Sequence, residues 1–167
     1  MNVLVVVCHP DPTSFTYAVA ARVCETLEGV GQPWTRWDLY GSVGGLGAAE
    51  IAAADTLILI YPTWWSGFPA MLVSWFEQWW DELGGPDLPE RRVVAITSHG
   101  SGKPTNMAEG ETGRLILKRR ISRHVRWVAM YGIDRADASA RDAHLARAAR
   151  AVESAFAGQR RGNLRRH

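Results

Sequence analysis

Four stretches of this chain carry apolar, largely β-branched residues in nearly unbroken succession, and between them the apolar positions recur at intervals of three and four. The first, residues 2–8, closes at His9-Pro10-Asp11-Pro12, and residues 56–61 repeat it and are halted by Pro62. Residues 92–97 and 125–131 are the third and fourth, and residues 33–39 form a weaker relative of them. Continuous apolar runs of this length predict strands buried on both faces, as parallel sheets require. The intervening segments predict helices. One runs from Thr13-Ser14-Phe15 through Leu27 and stops at Gly29 and Gly31; short 48–54, 111–124 and 136–156 are others. Leu145, Ala148, Ala149, Val152 and Phe156 share one face of the last. After residues 62–67, Leu72, Trp75, Phe76, Trp79 and Leu83 form one continuous helical stripe, with Pro69 in the first turn where a missing amide proton costs nothing. The glycine-rich residues 41–47 read as a mobile connection.

Strands alternating with helices imply right-handed βαβ crossovers and an open, doubly wound α/β sheet. Such sheets take ligands beyond the carboxyl ends of their strands. That rule selects residues 9–16, 62–67 and 97–102, which follow the first, third and fourth of these strands in the sheet's expected path.

Composition narrows the picture without changing it. At 167 residues, 47% hydrophobic and 22% charged, the chain is expected to fold as one domain, residues 1–158, with a basic tail, residues 159–167, left disordered. A net charge of +2, with Arg160, Arg161, Arg165 and Arg166 in that tail, gives no argument for nucleic acid. No apolar run approaches the roughly twenty residues that span a bilayer. Two cysteines, Cys8 and Cys24, without a recognisable signal peptide, fit a reducing cytoplasm.

The three loops can carry chemistry. Thr13, Ser14 and Thr16 stand at the mouth of a helix, where free amides and the helix dipole attract an anion such as phosphate. No lysine or arginine lies between Asn2 and Ala21, so amides, hydroxyls and His9 would have to hold it. Ser14 equally suits a plain helix cap. Trp64 and Trp65, in Pro62-Thr63-Trp64-Trp65-Ser66-Gly67-Phe68-Pro69, offer indoles on which a planar heterocycle could stack, although aromatic residues more often fill cores. Thr97-Ser98-His99-Gly100-Ser101-Gly102 supplies hydroxyls and unhindered amides, or is simply a glycine-rich turn.

Other chemistries lack their residues. Gly102-Lys103 is followed by Pro104, and Thr97 stands where a phosphate-binding P-loop needs its first glycine; the dinucleotide fingerprint is missing after the first strand. Cys8, His9, Cys24, His124 and His144 have no metal-ligand spacing, so no metal is expected. Cys8 and His9 point to opposite faces of an extended strand and cannot easily pair as nucleophile and base.

His9-Pro10 with Ser14-Phe15, then Ala54-Asp55 and Pro62-Thr63-Trp64-Trp65-Ser66-Gly67-Phe68-Pro69-Ala70, then Trp75-Phe76, together resemble the NAD(P)H:quinone oxidoreductase family of flavodoxin-like fold. The likeness spans most of the chain. It implies a flavodoxin-like three-layer sandwich around a five-stranded parallel sheet in the order 2-1-3-4-5. It also implies a flavin, FMN in preference to FAD, with NAD(P)H as co-substrate and a quinone or other small aromatic acceptor. By that resemblance His9, Thr13, Ser14, Phe15 and Thr16 meet the flavin phosphate and ribityl chain. Pro62, Thr63, Trp64 and Trp65 line the ring system, and Thr97, Ser98, His99 and Gly100 contact its pyrimidine side. Flavin N5 carries the hydride in such enzymes; no catalytic side chain is assigned, and His99 is the candidate.

Two features depart from the family. Lys103-Pro104-Thr105-Asn106-Met107 replaces the tyrosine and histidine that mammalian-type members carry after the third loop, and His99 stands where a glycine is usual. The resemblance also implies a homodimer with the site at its interface, and the aromatic helix around Trp75 and Trp80 is compatible with a packed partner. Kin that serve as ancillary subunits of potassium efflux systems supply an alternative, a flavin-binding regulatory subunit with little turnover of its own. A one-electron flavodoxin fits less well, since those carriers present a strongly acidic face.

Overall fold

The computed structural model describes residues 2–41, 47–83 and 90–163, with the backbone alone at 103–109 and 158–163. Its centre is a five-stranded, all-parallel sheet of β1 (Val3–Val7), β2 (Trp34–Asp38), β3 (Thr56–Pro62), β4 (Arg92–Ser98) and β5 (His124–Met130). The strand order is β2-β1-β3-β4-β5, as expected from the resemblance. Pleating divides the apolar runs between two layers. Val3, Val5, Val7, Ile58, Ile60, Val94, Ile96, Val128 and Met130 face one side, against α1 (Phe15–Gly29) and α6 (Ala138–Asn163). Leu4, Val6, Cys8, Leu57, Leu59, Tyr61, Val93 and Ala95 face the other, against α2 (Ala48–Ala52), α3 (Ala70–Gln78), α4 (Trp80–Leu83) and α5 (Lys103–Arg120). Strands with helices on both faces need apolar residues at every position, which is why their runs do not alternate.

Three elements differ from expectation. The stripe from Leu72 to Leu83 lies on two helices, because the backbone at Trp79 (φ −114°, ψ 29°) leaves helical geometry between α3 and α4. Trp75 and Trp79 both meet Trp37 edge-on from there, at centroid distances of 5.8 and 5.9 Å. Helix α5 begins eight residues before the expected 111 and ends at Arg120, so His124 opens a strand rather than closing a helix. Gly110 and Gly113 hide this helix in the sequence, yet both are buried in it, and a Cβ at Gly113 would come within 3.0 Å of the Trp127 ring. They are glycines because Trp127 presses there. Finally, α6 continues to Asn163, so residues 159–163 of the expected disordered tail are helical. Most of the glycine-rich connection expected over 41–47, and residues 164–167 of the tail, lie outside the described residues.

Among the described residues no helix is long and apolar enough to cross a membrane. Cys8 and Cys24 are free and buried, and burial pushes the Cys8 thiol up to about 12.

Candidate functional site

The sheet changes winding direction between β1 and β3, and the loops leaving their carboxyl ends part to form a crevice. The first loop is tied by its own side chains. Asp11 Oδ1 accepts the Thr13 amide at 2.8 Å and the Thr13 hydroxyl at 2.7 Å, which together hold the Asp11 carboxyl below the usual carboxylate range. His9 Nδ1 lies 3.0 Å from the Asp11 amide nitrogen and 3.1 Å from the Asp11 carbonyl, so the ring is tied to the same loop.

Ser14 occupies the cap position of α1 by backbone geometry (φ −66°, ψ 160°), but its side chain makes no capping hydrogen bond. Its Oγ is buried with no hydrogen-bond partner. The plain-cap alternative is thereby removed. A buried hydroxyl without a partner costs free energy, about 1–3 kcal/mol, unless something else fills the valence. Of the first-turn amides beside it, that of Tyr17 is taken by the Ser14 carbonyl at 3.1 Å, while helix geometry gives those of Phe15 and Thr16 no acceptor within the helix.

The second loop is a two-residue hairpin. Trp64 and Gly67 exchange hydrogen bonds of 3.2 and 3.0 Å, and Trp65 (φ 50°) and Ser66 (φ 64°) between them both lie in the left-handed region. Turns of this kind favour Asn-Gly because L-residues there are strained. The Thr63 amide donates to the Ser98 carbonyl at 2.8 Å, locking the second loop to the third. The third loop is locked in turn to the segment after β5: His99 N–H donates to Met130 O, Gly132 N–H to Ser101 O and Ile133 N–H to His99 O.

These ties enclose a cavity of about 490 Å³. From the first loop it is lined by His9, Thr13, Ser14, Phe15 and Thr16, from the second by Pro62, Thr63 and Trp64, and from the third by Ser98 and Gly100. All were expected there. Trp64 is half-buried with its ring 5.5 Å from that of His9, so one indole does form a wall.

Three expected residues do not line it. Trp65 points entirely into solvent, because the left-handed turn throws its side chain outward. Thr97 is fully buried beneath the cavity, with its hydroxyl 2.8 Å from that of Thr63. His99 is also buried below the floor, stacked on Tyr131 at a centroid distance of 4.8 Å.

Residues the sequence did not single out complete the wall: Ile133, Asp134 and Arg141. Arg141, near the start of α6, brings its guanidinium to 5.9 Å from the Phe15 ring centroid. A cation therefore does stand at the anion end, contrary to expectation. It was hidden by its distance along the chain, and the sequence signal for it is an arginine in the first turn of the helix that follows β5. Asp134 is packed so closely on the third loop that a Cβ at Gly100 would sit 2.2 Å from Oδ2. A larger residue at that position would have to displace the Asp134 carboxylate. His144, edge-on to Phe15, completes this side, and burial holds its imidazole below the usual range.

The donor set suits a phosphate ester carrying a flat ring. An unfilled serine hydroxyl, open amides and an arginine stand at one end, and an indole, a proline and hydroxyls at the other.

Comparison with known proteins places the fold. A family described as having a flavodoxin-like fold matches residues 1–156. The chain is 29% identical over 94 residues to an uncharacterized NAD(P)H oxidoreductase, YcaK, of Escherichia coli K12, a match covering 53% of this chain and 45% of that protein. The matched stretch thus spans less than half the length of that curated relative. Among solved structures, an NAD(P)H:quinone oxidoreductase from Methanothermobacter marburgensis is similar with a TM-score of 0.76 at 26% identity, covering 91% of this chain and 94% of the other. An FMN-dependent NADH-azoreductase from Bacillus anthracis, solved in complex with FMN, shares the fold with a TM-score of 0.71 at 16% identity, covering 95% and 99%.

Proposed function

The chain belongs to this family of flavodoxin-like fold, and from that premise we propose that it is a flavin-dependent reductase carrying two electrons from NAD(P)H to a quinone or similar flat aromatic acceptor. The observation that carries the proposal is the buried, partnerless Ser14 Oγ at the mouth of α1, in a cavity that Arg141 also lines. Ser14, Thr13, Thr16, the first-turn amides of α1 and Arg141 would hold the phosphate of FMN. Thr63, Pro62 and Trp64 would bound its ring system, and the Ser98 and Gly100 loop its polar edge. A flavin held there supplies hydride chemistry, accepting from a nicotinamide and passing two electrons to the acceptor. The side chains would orient the ring and neutralise the phosphate.

A homodimer is part of the proposal. The groove between α3 and α5, lined by Phe68, Val73, Phe76, Trp80, Ile116 and Ile121 together with Glu77 and Arg120, exposes mostly apolar surface and adjoins the second loop. Reduced, buried Cys8 and Cys24 agree with a cytoplasmic setting.

Purified protein should be yellow, or become so with added FMN, and should bleach on addition of NADH or NADPH without oxygen. Ser14→Ala should weaken FMN binding roughly fivefold, the worth of one hydrogen bond, without lowering stability. Colourless protein that refuses FMN ends the proposal.

A further inference from the structure

Beneath the cavity three side chains from two loops form one hydrogen-bonded chain. The Thr63 hydroxyl lies 2.8 Å from that of Thr97 and 3.4 Å from His99 Nε2, the second distance at the outer edge of hydrogen bonding. Thr97 is fully buried and His99 is 1% exposed, whereas Thr63 is half-buried and lines the cavity. Polar groups withdrawn this far from water must place their protons on one another.

Thr97 has Thr63 as its only hydroxyl partner among the described residues, so its proton is placed by donating to Thr63 Oγ1. The Thr63 proton then has two destinations, His99 Nε2 or the cavity, and the tautomer of the imidazole chooses between them. If Nε2 carries the hydrogen, His99 and Thr97 fill both lone pairs of Thr63 and its own proton must face the cavity. If Nε2 is bare, the proton turns down toward His99 and the cavity meets only a lone pair.

We propose that His99 is a positioning residue: it donates from Nε2 to Thr63 and so turns the Thr63 hydroxyl into a fixed hydrogen-bond donor to the flavin ring. Several contacts hold the imidazole for this task. Its ring lies 25° from parallel with Tyr131, and its backbone is pinned at both ends, N–H to Met130 O at 2.7 Å and C=O from Ile133 N–H at 3.1 Å. A donor fixed before the ligand arrives costs no reorganisation when charge develops on the ring edge. Its partners polarise one another, which strengthens it further. Asp134, the carboxylate on the opposite wall, supplies no donor of its own. This inference rests on the flavin reading, because the acceptor of the Thr63 proton is an electron-rich atom of the reduced ring.

The test is the midpoint potential of FMN bound to the full chain, measured against a reference dye, with FMN affinity measured separately by fluorescence quenching. Thr63→Val removes the donor and should shift the potential negative by about 30 mV, a roughly tenfold loss of preference for reduced over oxidised flavin. His99→Phe keeps a ring to stack on Tyr131 but removes the Nε2 donor that fixes the Thr63 rotor; the Thr63 hydroxyl can still reach the ring, so the negative shift should be clearly smaller than that of Thr63→Val. The double variant should match Thr63→Val alone. His99→Gln, which restores an N–H, should recover most of the wild-type value. A positive shift or none for His99→Phe, with a negative one for Thr63→Val, overturns the role given to His99. No shift for Thr63→Val overturns the whole chain. Should His99→Phe fail to fold, ¹⁵N-histidine labelling of the wild-type protein decides: a protonated Nε2 that moves on adding FMN supports the inference, and a bare Nε2 overturns it. Wild-type protein that binds no flavin is a separate result and overturns the functional proposal together with this one.

Discussion

The two ends of the sheet treat polar groups in opposite ways. At the amino end, Arg91 is buried to 6% exposure, and its Nη2 donates to the carbonyls of Ile51, Ala52 and Glu82 at 3.0, 3.3 and 3.1 Å. Those carbonyls close α2 and α4, so one guanidinium ties two helix ends to the start of β4. Ser122 Oγ donates to the Arg91 carbonyl and accepts the His124 amide, and Asp55 takes the amide of Asn2. At the carboxyl end the chain leaves Ser14 Oγ without a partner and holds Trp65 and Ser66 in left-handed backbone. Polar atoms that the chain answers itself contribute stability, and those it leaves open are available to a ligand. The amino end is not fully closed: Arg91 Nη1 and the buried Thr56 Oγ1 have no partner and burial lowers the Arg91 pKa, yet Arg91 Nη2 is consumed by backbone.

Removing the clamp should give the largest effect. Arg91→Leu strips the guanidinium from three helix-end carbonyls, of which Ile51 O keeps the Ala54 amide at 3.2 Å, and should cost about 2–3 kcal/mol of unfolding free energy, read from urea denaturation. FMN affinity of the folded fraction should stay within about twofold, because nothing in the clamp reaches the cavity. A variant that is fully stable yet has lost flavin would reverse the division between the two ends.

Arg141→Ala probes the other end and should do the converse. Loss of the one arginine lining the cavity among the described residues should weaken FMN roughly tenfold at low salt, while the unfolding midpoint moves little. The gap between wild type and variant should narrow as salt rises, since an exposed charge is screened. A gap indifferent to salt would mean that Arg141 acts by packing on Phe15 and not by charge.

The same division explains what the sequence disclosed. β1, β3 and β4 were legible because a strand buried on both faces has nowhere to put a polar residue, and Val3–Val7 and Thr56–Pro62 are buried throughout; β2 and the first half of β5 are part-exposed and carry polar residues, so their runs are weaker. Helix α5 was half hidden, because Gly110 and Gly113 signal a break in one dimension and a contact with Trp127 in three. The cavity's first two loops were legible because each follows its strand directly. Arg141 and Asp134 were not, since they arrive from beyond β5 and only the ties from Met130, Gly132 and Ile133 to the third loop bring them in. Trp64 and Trp65, identical in sequence chemistry, were separated by one property the sequence does not print: the sign of φ.

That sign gives the smallest expected effect and the finest test of the comparison. An L-residue in left-handed backbone costs about 1–2 kcal/mol, and asparagine pays less of it than tryptophan because its short side chain bonds locally. Trp65 is wholly exposed and packs on nothing that a replacement would lose. Trp65→Asn should therefore raise the melting temperature of the flavin-free protein by about 2 °C. If the strain is kept for function, the same change should leave FMN affinity unaltered but slow reduction by NAD(P)H, because an indole held outward from the second loop is a surface for the incoming nicotinamide. A variant that gains stability and reduces its flavin as fast as wild type would make the left-handed turn a tolerated defect, and the carboxyl end would then owe its openness to Ser14 and Arg141 alone.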